Sequence, residues 1–423
     1  MGASNKWIVR LGVASITLAG ACLLAFTWWL PSDKDIALRL SALANERFGI
    51  AVSIESVGWA LLPTPSVTVH KLRTDHEQPI SFDELTVYPN LRMLLQHKLV
   101  LKDVDINGAV IPRNTLHALS AKLGKAEHAA AKDMPQVEHA KFRNITWISY
   151  SDIAIVLAGE IDFDPDWRPR HAEVSRPETT PPFTMTLTRE SNADRWKTQI
   201  AVGGGTAHGH LALKTANDGT MHLSGELAPR DIEVASAVST FNRRSPVGGK
   251  GAGQTVVSAS GKSIGELARS LHTQTRFTVN PATVLRFDLD KAISTGGKEH
   301  GGHTDLQELT GQLDTQNGAQ GMRMTFTDIR ARAGKFTATG NGTVYHRQVE
   351  GSGNLDLVEG AVGVPFTVSG PVQKPKVSVP PGFFAGAAIG TVVLPVIGTA
   401  IGARIGGAIS QLFDGDPKKS ATK

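Results

Sequence analysis

Short runs in which apolar and polar residues alternate recur along most of this chain, and they constrain its fold more than any other feature. Clear examples are FTMTLTR at 183–189, WKTQIAV at 196–202 and HLALKTA at 210–216. Alternation places apolar side chains on one face of a β-strand and polar side chains on the other. Turns rich in glycine, asparagine and aspartate separate the runs, as β-hairpins require. The pattern therefore predicts a mainly β chain with an antiparallel-rich sheet.

Composition and spacing limit how such a sheet can be arranged. No fixed repeat length emerges, which argues against a solenoid of identical units. The chain has 43 glycines and 22 prolines, and aromatic residues make up 6% of it, a composition typical of a turn-rich β protein rather than a helical bundle. A long meander of half-apolar strands must close, stack or curl. We expect a long curled sheet that forms an open apolar trough, with a few short helices.

The N-terminal region contains a predicted transmembrane helix. Twenty consecutive residues, Leu11 to Leu30, carry no charge. As a helix this stretch is about 30 Å long, the thickness of a bilayer's hydrocarbon core. Lys6 and Arg10 precede it, and residues 32–35 carry no net positive charge, so the positive-inside rule puts the N-terminus in the cytoplasm and the body outside it.

A cleaved signal peptide and a lipoprotein signal are the alternatives for this segment. Residues 19–21 are small, but the apolar stretch LLAFTWWL follows them, so cleavage there would leave an apolar new terminus. Leu18 lies one position too far from Cys22 for a lipoprotein site. Cys22 is the single cysteine of the chain. The exported body therefore has no disulfide and must depend on sheet pairing and apolar burial.

The remaining sequence divides into segments of different character. Helices are predicted after the anchor, where Ile36 and Leu40 share a face, at 231–241 and at 263–272. The Ala- and Lys-rich segment 113–141 is polar and is interpreted as an exposed helix or a mobile insertion. The predicted boundaries are 1–31 for the anchor, 32–112 for an N-terminal helix and strands, 113–141 for the insertion, 142–380 for the β-rich trough, 381–413 for an apolar segment and 414–423 for a polar tail.

The apolar segment near the C-terminus is the second candidate for membrane association. Gly382 to Ala403 is uncharged for 22 residues. Glycines four residues apart would form a smooth helix ridge that permits close helix packing. Pro395 favours a kinked span or a helical hairpin, whereas a buried or disordered tail is the alternative. Whether the segment spans, inserts or docks stays open at this point. The ridge residues are Gly382, Gly386, Gly390, Gly398, Gly402 and Gly406.

Charge and motifs exclude several classes of function. The net charge of +5 is small against 44 basic and 39 acidic residues, and no basic block predicts nucleic-acid binding. SGKS at 260–263 and GGKGAG at 248–253 lack the order of a phosphate-binding loop and are interpreted as turns. His208 with His210, and His300 with His303, lack a third ligand at metal-site spacing. We therefore predict no enzyme activity, no cofactor and no metal site.

Several segments together resemble the AsmA-like family of envelope proteins. The opening at 36–73, IALRLSALANERFGIAVSIESVGWALLPTPSVTVHKLR, resembles the family's helix followed by strands, and 82–111 resembles its following unit. Near the other end, the segments at 263–272 (SIGELARSLH), 284–293 (VLRFDLDKAI) and 364–379 (VPFTVSGPVQKPKVSV) resemble the family's C-terminal region. The resemblance covers roughly 7–111 and 225–380. The chain departs from the family in its short length, in the polar insertion and in the glycine-ordered tail.

The resemblance implies a single-pass inner-membrane protein with a periplasmic trough similar to bridge-like lipid-transfer proteins. Such a protein would shield the acyl chains of a phospholipid or another lipid and support outer-membrane biogenesis. Its C-terminal end would contact the outer membrane or a membrane protein, and residues 382–403 could form a second span. A non-enzymatic scaffold for envelope-protein assembly is the alternative function. The expected trough residues are Leu99, Leu101, Val104, Ile106, Phe287, Leu289, Phe366 and Val368.

Overall fold

The structure is a computed structural model, and it confirms a mainly β chain with a few short helices. Hydrogen bonding joins the strands into one mostly antiparallel sheet. The residues it describes are 33–48, 50–60, 63–96, 98–115, 136–149, 152–165, 167–191, 193–262, 264–286, 288, 291, 301–318, 321–334, 336–357, 363–372 and 376–378. The predicted spans at 11–30 and 382–403 lie outside these ranges. No helix within them has both the length and the apolarity needed to cross a bilayer.

The helices are short compared with the strands. They are α1 (Asp33–Phe48), α2 (Leu91–Leu94), α3 (Val234–Ser239) and α4 (Ile264–Arg269). The first ten strands are β1 (Val52–Ser53), β2 (Ser56–Ala60), β3 (Ser66–Thr74), β4 (Ser81–Pro89), β5 (Val100–Pro112), β6 (Gln136–Ile148), β7 (Ala154–Phe163), β8 (Pro169–Arg176), β9 (Phe183–Arg189) and β10 (Arg195–Val202). The remaining strands are β11 (Gly205–Thr215), β12 (Met221–Arg230), β13 (Ile232–Glu233), β14 (Val247–Gly261), β15 (His272–Leu285), β16 (His303–Leu306), β17 (Glu308–Gly318), β18 (Gly321–Arg332), β19 (Phe336–Tyr345), β20 (Gln348–Leu357), β21 (Val364–Pro371) and β22 (Lys376–Ser378).

The chain divides into two compact units, which are described separately. Unit 1 comprises 1–200, 210–224 and 259–269, and unit 2 comprises 201–209, 225–258 and 270–423. In unit 1, α1 packs beside β1 and β2, and β3, β4 and β5 pair antiparallel. β5 and β6 pair in parallel, after which β6, β7, β8 and β9 continue antiparallel.

The hydrophobic core of unit 1 lies where α1 meets the sheet. Leu40 of α1 is 1% exposed and belongs to one buried cluster with Val69, Leu85 and Val104. Alternation in β3 and β4 explains this cluster, because cross-strand partners such as Val69 and Leu85 share a face. The helix covers that face, and the cluster excludes water from both elements.

Unit 2 is a simple antiparallel succession from β14 to β22. β14 pairs with β15, and β15 pairs with both β16 and β17. From β17 to β22, each strand pairs with the next. Register shifts interrupt three of these ladders. A second buried cluster contains Val279, Ala282, Leu306 and Phe336. Val234 of α3 packs against this cluster.

Three sequence interpretations need correction. Residues 136–141 belong to β6, so the predicted polar insertion does not extend to 141; Val137 is fully buried and pairs with Leu101. GGKGAG at 248–253 lies within β14 rather than in a turn, since it pairs with β15, whose backbone approaches Gly249 and Gly253 too closely for a side chain. The helix predicted at 231–241 begins at Val234, since residues 232–233 pair with β14.

Candidate functional site

The sheet of unit 2 has two faces of opposite chemistry. On one face most cross-strand partners are apolar residues or glycine, as in the pairs Leu313–Phe326, Met324–Val344 and Val349–Gly370. Uncharged polar residues complete this face, including the Thr255–Thr275 and Thr273–Thr315 pairs. The strand positions paired on this face from β14 to β22 carry no charged side chain among the described residues. Because successive side chains alternate between faces, the charged residues of these strands lie on the other side. The apolar side of unit 2 is called the unit 2 face.

The opposite face of unit 2 is covered by polar and charged residues. Arg276, Asp314, Arg330 and Glu350 lie there by register. His272 Nε2 lies 2.7 Å from Asp314 Oδ2 across the β15–β17 ladder. Such cross-strand pairs are typical of a solvated sheet face. The sheet therefore separates an aqueous side from an apolar side along many strands.

Phenylalanine rings on the unit 2 face lie over glycines of neighbouring strands. Phe366 is paired with Gly353, and a Cβ built on Gly353 would lie 2.6 Å from Phe366 Cζ. Phe277 is paired with both Gly253 and Gly311, and the ring is 3.1 Å from a Cβ built on Gly311. A ring can approach the neighbouring strand this closely because glycine has no side chain.

Gly353 belongs to a patch of four glycines on β19 and β20. Gly340 pairs with Gly353, and Gly342 pairs with Gly351. The atoms nearest to a Cβ built on Gly342 are Glu350 O at 3.2 Å and Gly351 Cα at 3.5 Å, so no side chain covers this position within 4 Å. Phe326 faces Gly342 from β18, and Phe366 faces Gly353 from β21. The patch is therefore a shallow floor with aromatic residues on both flanks.

The sheet of unit 1 carries a second apolar face beyond the cluster under α1. It continues across β6, β7, β8 and β9 through partners such as Phe142–Gly159, Ala172–Leu187 and Val174–Met185. Most of its residues are half-buried rather than buried. This surface is called the unit 1 face, and its residues are Ala140, Phe142, Ile145, Trp147, Ile155, Leu157, Gly159, Ile161, Ala172, Val174, Met185 and Leu187.

Half-burial is what distinguishes this face from the core beside it. Phe142 and Val174 keep part of their surface exposed, whereas Leu85 is completely buried. Ile145 and Ile161 pack against the buried cluster, so the apolar surface is continuous from the core to the unit 1 face. On the reverse side, His139 Nδ1 lies 2.7 Å from Asp162 Oδ1.

The predicted trough residues fall into three groups. Leu101 and Val104 are 0% exposed in the cluster under α1, and Leu99 and Ile106 pack against that cluster. Phe366 and Val368 are half-buried and lie on the unit 2 face. Phe287 and Leu289 lie outside the described residues, as do the six ridge glycines between 382 and 406.

Sequence reasoning missed the half-buried residues of β6 to β9 and the cross-strand glycines. The signal for the glycines was present, because KFTATGNGTVY places two glycines at alternate positions within a strand pattern. Which residues face them depends on the register with β18 and β20, which the sequence does not state.

Titratable groups of the described residues form ion pairs and small networks, such as that of Asp164, Arg168, Arg189 and Asp194. Within the described ranges, no group of three or more His, Cys, Asp or Glu residues could hold a metal ion. His210 Nδ1 lies 3.1 Å from Glu190 Oε1, and both side chains are exposed to solvent. Glu190 also pairs with Arg195. Such exposed groups can orient strands, but they lack the burial typical of a catalytic site.

Glu233 has the clearest perturbed carboxylate of unit 2. Its side chain accepts hydrogen bonds from the backbone N–H groups of Ala235, Ser236 and Gly249. Burial alone raises the pKa of Glu233, but the N–H donors outweigh it, and the net effect is a pKa below the usual value of 4.5. Because the donors come from α3 and β14, the carboxylate ties the helix to the sheet beside the unit 2 face.

Comparison with known proteins gives no match: no protein-family profile, no curated protein and no solved structure is significantly similar to this chain.

Proposed function

We propose that this chain is a membrane-anchored, non-enzymatic protein that shields lipid acyl chains on its apolar sheet faces and supports lipid transport and outer-membrane biogenesis. The two-sided sheet of unit 2 is the observation that carries this proposal. An uncharged face, continuous over the strands from β14 to β22, suits hydrocarbon, while the charged reverse face remains in water. The resemblance to the AsmA-like family supports the same function.

The glycine floor of β19 and β20 adds a physical reason for binding chains rather than compact ligands. Adjacent strands are about 4.8 Å apart, so the two glycine pairs of β19 and β20 leave a furrow roughly 10 Å wide, enough for an acyl chain, which the Phe366 ring enters over Gly353. Phe326 and Phe366 flank this furrow. Contacts there are dispersive and non-directional, which permits sliding along the sheet.

The proposed location is the inner membrane, with the N-terminus in the cytoplasm and the body in the periplasm. The uncharged segment 11–30 and the preceding Lys6 and Arg10 support this topology. A reporter that is active outside the cytoplasm, fused after residue 60, is expected to be active in cells. An inactive reporter there, with a cytoplasmic reporter active at the same position, would contradict the topology.

A scaffold for assembly of envelope proteins is the second candidate. The observation that favours it is the closed core under α1, where Leu101 and Val104 have no exposed surface and leave no room for lipid. On this view the half-buried faces would bind other proteins.

Site-specific photocrosslinking in cells separates the two candidates. A benzophenone amino acid at Val368 reports on the unit 2 face, and the same residue at Ser369 reports on the opposite face of the same strand. Met324 and Thr325 provide a second such pair on β18. We expect lipid adducts, identified by mass spectrometry, at Val368 and Met324 and not at their neighbours.

The scaffold would give protein adducts at the same two positions without lipid. Equal lipid labelling on both faces would show that the sheet does not sort lipid by face, and the proposal would then fail.

A further inference from the structure

Arg176 ends the apolar row of β8 in unit 1. Its partner on β9 is Phe183, and the alternate positions before it on β8 are Ala172 and Val174 of the unit 1 face. Register and alternation therefore place a guanidinium group at the end of an apolar surface rather than on the solvated side.

The guanidinium of Arg176 is buried and incompletely bonded. Arg176 is 8% exposed, and its Nη1 has no hydrogen-bond partner among the residues that the structure describes. Burial lowers the pKa of Arg176, and the nearby Glu178, which is itself exposed, only partly offsets this effect. A buried cationic donor without an acceptor is unfavourable for folding, so its presence needs an explanation.

Arg189 shows how the same unit satisfies a buried arginine that has a structural role. The side chain of Arg189 is 9% exposed, and its Nη1 and Nη2 donate to Asp164 and Asp194. Arg176 has comparable burial but lacks such an arrangement around Nη1. Among the described residues, Arg176 therefore leaves a position for an acceptor at Nη1 unfilled.

We propose that Arg176 binds the phosphate of a phospholipid headgroup while the acyl chains of that lipid lie on the unit 1 face. This inference rests on the proposed lipid-binding function and deepens it by assigning the headgroup chemistry. A guanidinium donates in a planar fork that matches phosphate oxygens, and the bond is strengthened where water is excluded. An amphiphile presents an anion directly beside hydrocarbon, as Arg176 lies beside Val174.

Binding to the purified full-length protein in a neutral detergent tests this assignment. The ligands are phosphatidylglycerol, a diacylglycerol with the same acyl chains, and inorganic phosphate, each measured by native mass spectrometry. The variants are Arg176→Gln and the matched control Arg143→Gln, which removes an exposed cation from β6 on the opposite side of the sheet.

Wild-type protein is expected to bind phosphatidylglycerol about tenfold more tightly than diacylglycerol, since a hydrogen-bonded charge contributes roughly that much. Arg176→Gln removes this preference and leaves diacylglycerol binding unchanged, whereas Arg143→Gln behaves as wild type. Equal binding of the two lipids by the wild type overturns the inference, as does a preference that survives in Arg176→Gln. Phosphate that binds as tightly as the phospholipid shows a free-anion site and overturns it too.

The same data distinguish failure of this inference from failure of the proposed function. If neither lipid binds, the lipid-binding function itself is refuted; if both bind equally, the headgroup assignment alone is refuted. Thermal unfolding of lipid-free protein gives an independent readout. Arg176→Met is expected to raise the unfolding temperature, because it removes a buried cation without a full set of acceptors. A lowered unfolding temperature would show that Arg176 is satisfied within the chain, and would overturn the inference.

Discussion

The contact between Phe366 and Gly353 yields a quantitative prediction about the unit 2 face. A Cβ built on Gly353 lies 2.3 Å from the backbone oxygen of Thr339 and 2.6 Å from Phe366 Cζ. Both distances are far below a normal van der Waals contact, and the backbone oxygen cannot rotate away as a side chain can. Gly353→Ala therefore forces β19 and β20 apart or displaces the ring, and overpacking of this kind costs about 1–3 kcal/mol.

Urea unfolding of the full-length protein in detergent, with hydrogen exchange of β19 to β21 as a local readout, measures this loss. Gly334→Ala is the matched control, because a Cβ built there has no atom within 4 Å. Adding Phe366→Ala to Gly353→Ala removes one of the two clashes, so the effects of the two changes should be less than additive. If Gly353→Ala is as stable as Gly334→Ala, the close approach of ring and strand is not as described, and the argument for a flat aromatic floor fails.

Three further predictions concern the core, pH and the C-terminal segment. Leu101→Ala should reduce the free energy of unfolding by about 2–5 kcal/mol in a denaturation experiment, because the side chain is completely buried. Leu101→Asp should prevent folding rather than selectively block lipid binding, and a soluble, stable Leu101→Asp protein would contradict this. The pKa of Glu233 is lowered in the folded state, so ionised Glu233 stabilises the fold above its unfolded value of 4.5, and this stabilisation is lost as the pH falls below that value. Glu233→Gln should therefore flatten the dependence of the free energy of unfolding on pH in this range. An unchanged dependence at acid pH would count against the α3 contact. Deletion of 382–413 should reduce membrane fractionation and lipid transfer, and normal transfer without these residues would make the segment dispensable.

The strands that the sequence predicted best are those whose alternation is regular. FTMTLTR coincides with β9 and WKTQIAV with most of β10, because one apolar face per strand suffices to predict them. β14 was not predicted, because glycine usually indicates a turn, whereas Gly253 is needed there for the close approach of Arg276 O across the ladder.

The candidate site depended on information that a single strand does not contain. Leu101 and Phe366 both occupy apolar positions of an alternating strand. Leu101 is nevertheless completely buried in the core of unit 1, whereas Phe366 is half-buried over a glycine. The difference comes from the neighbouring element, which local periodicity does not specify. The environment of Arg176 was likewise invisible, because β8 reads as a polar strand, PRHAEVSR, until its register with β9 is known.

The parallel pairing of β5 with β6 limits how far the intervening sequence can be shortened. Parallel neighbours cannot be joined by a tight turn, since the chain must return to the starting end of the first strand. β5 has 13 residues, so the return path is roughly 43 Å long at about 3.3 Å per residue. Residues 113–135 have to cover that distance before Gln136 can pair with Val100 at the start of β5. Trimming this connection to fewer than about 12 residues should break the parallel register, because an extended chain advances at most about 3.6 Å per residue. The predicted polar insertion is thus a connection whose minimum length is set by the length of β5.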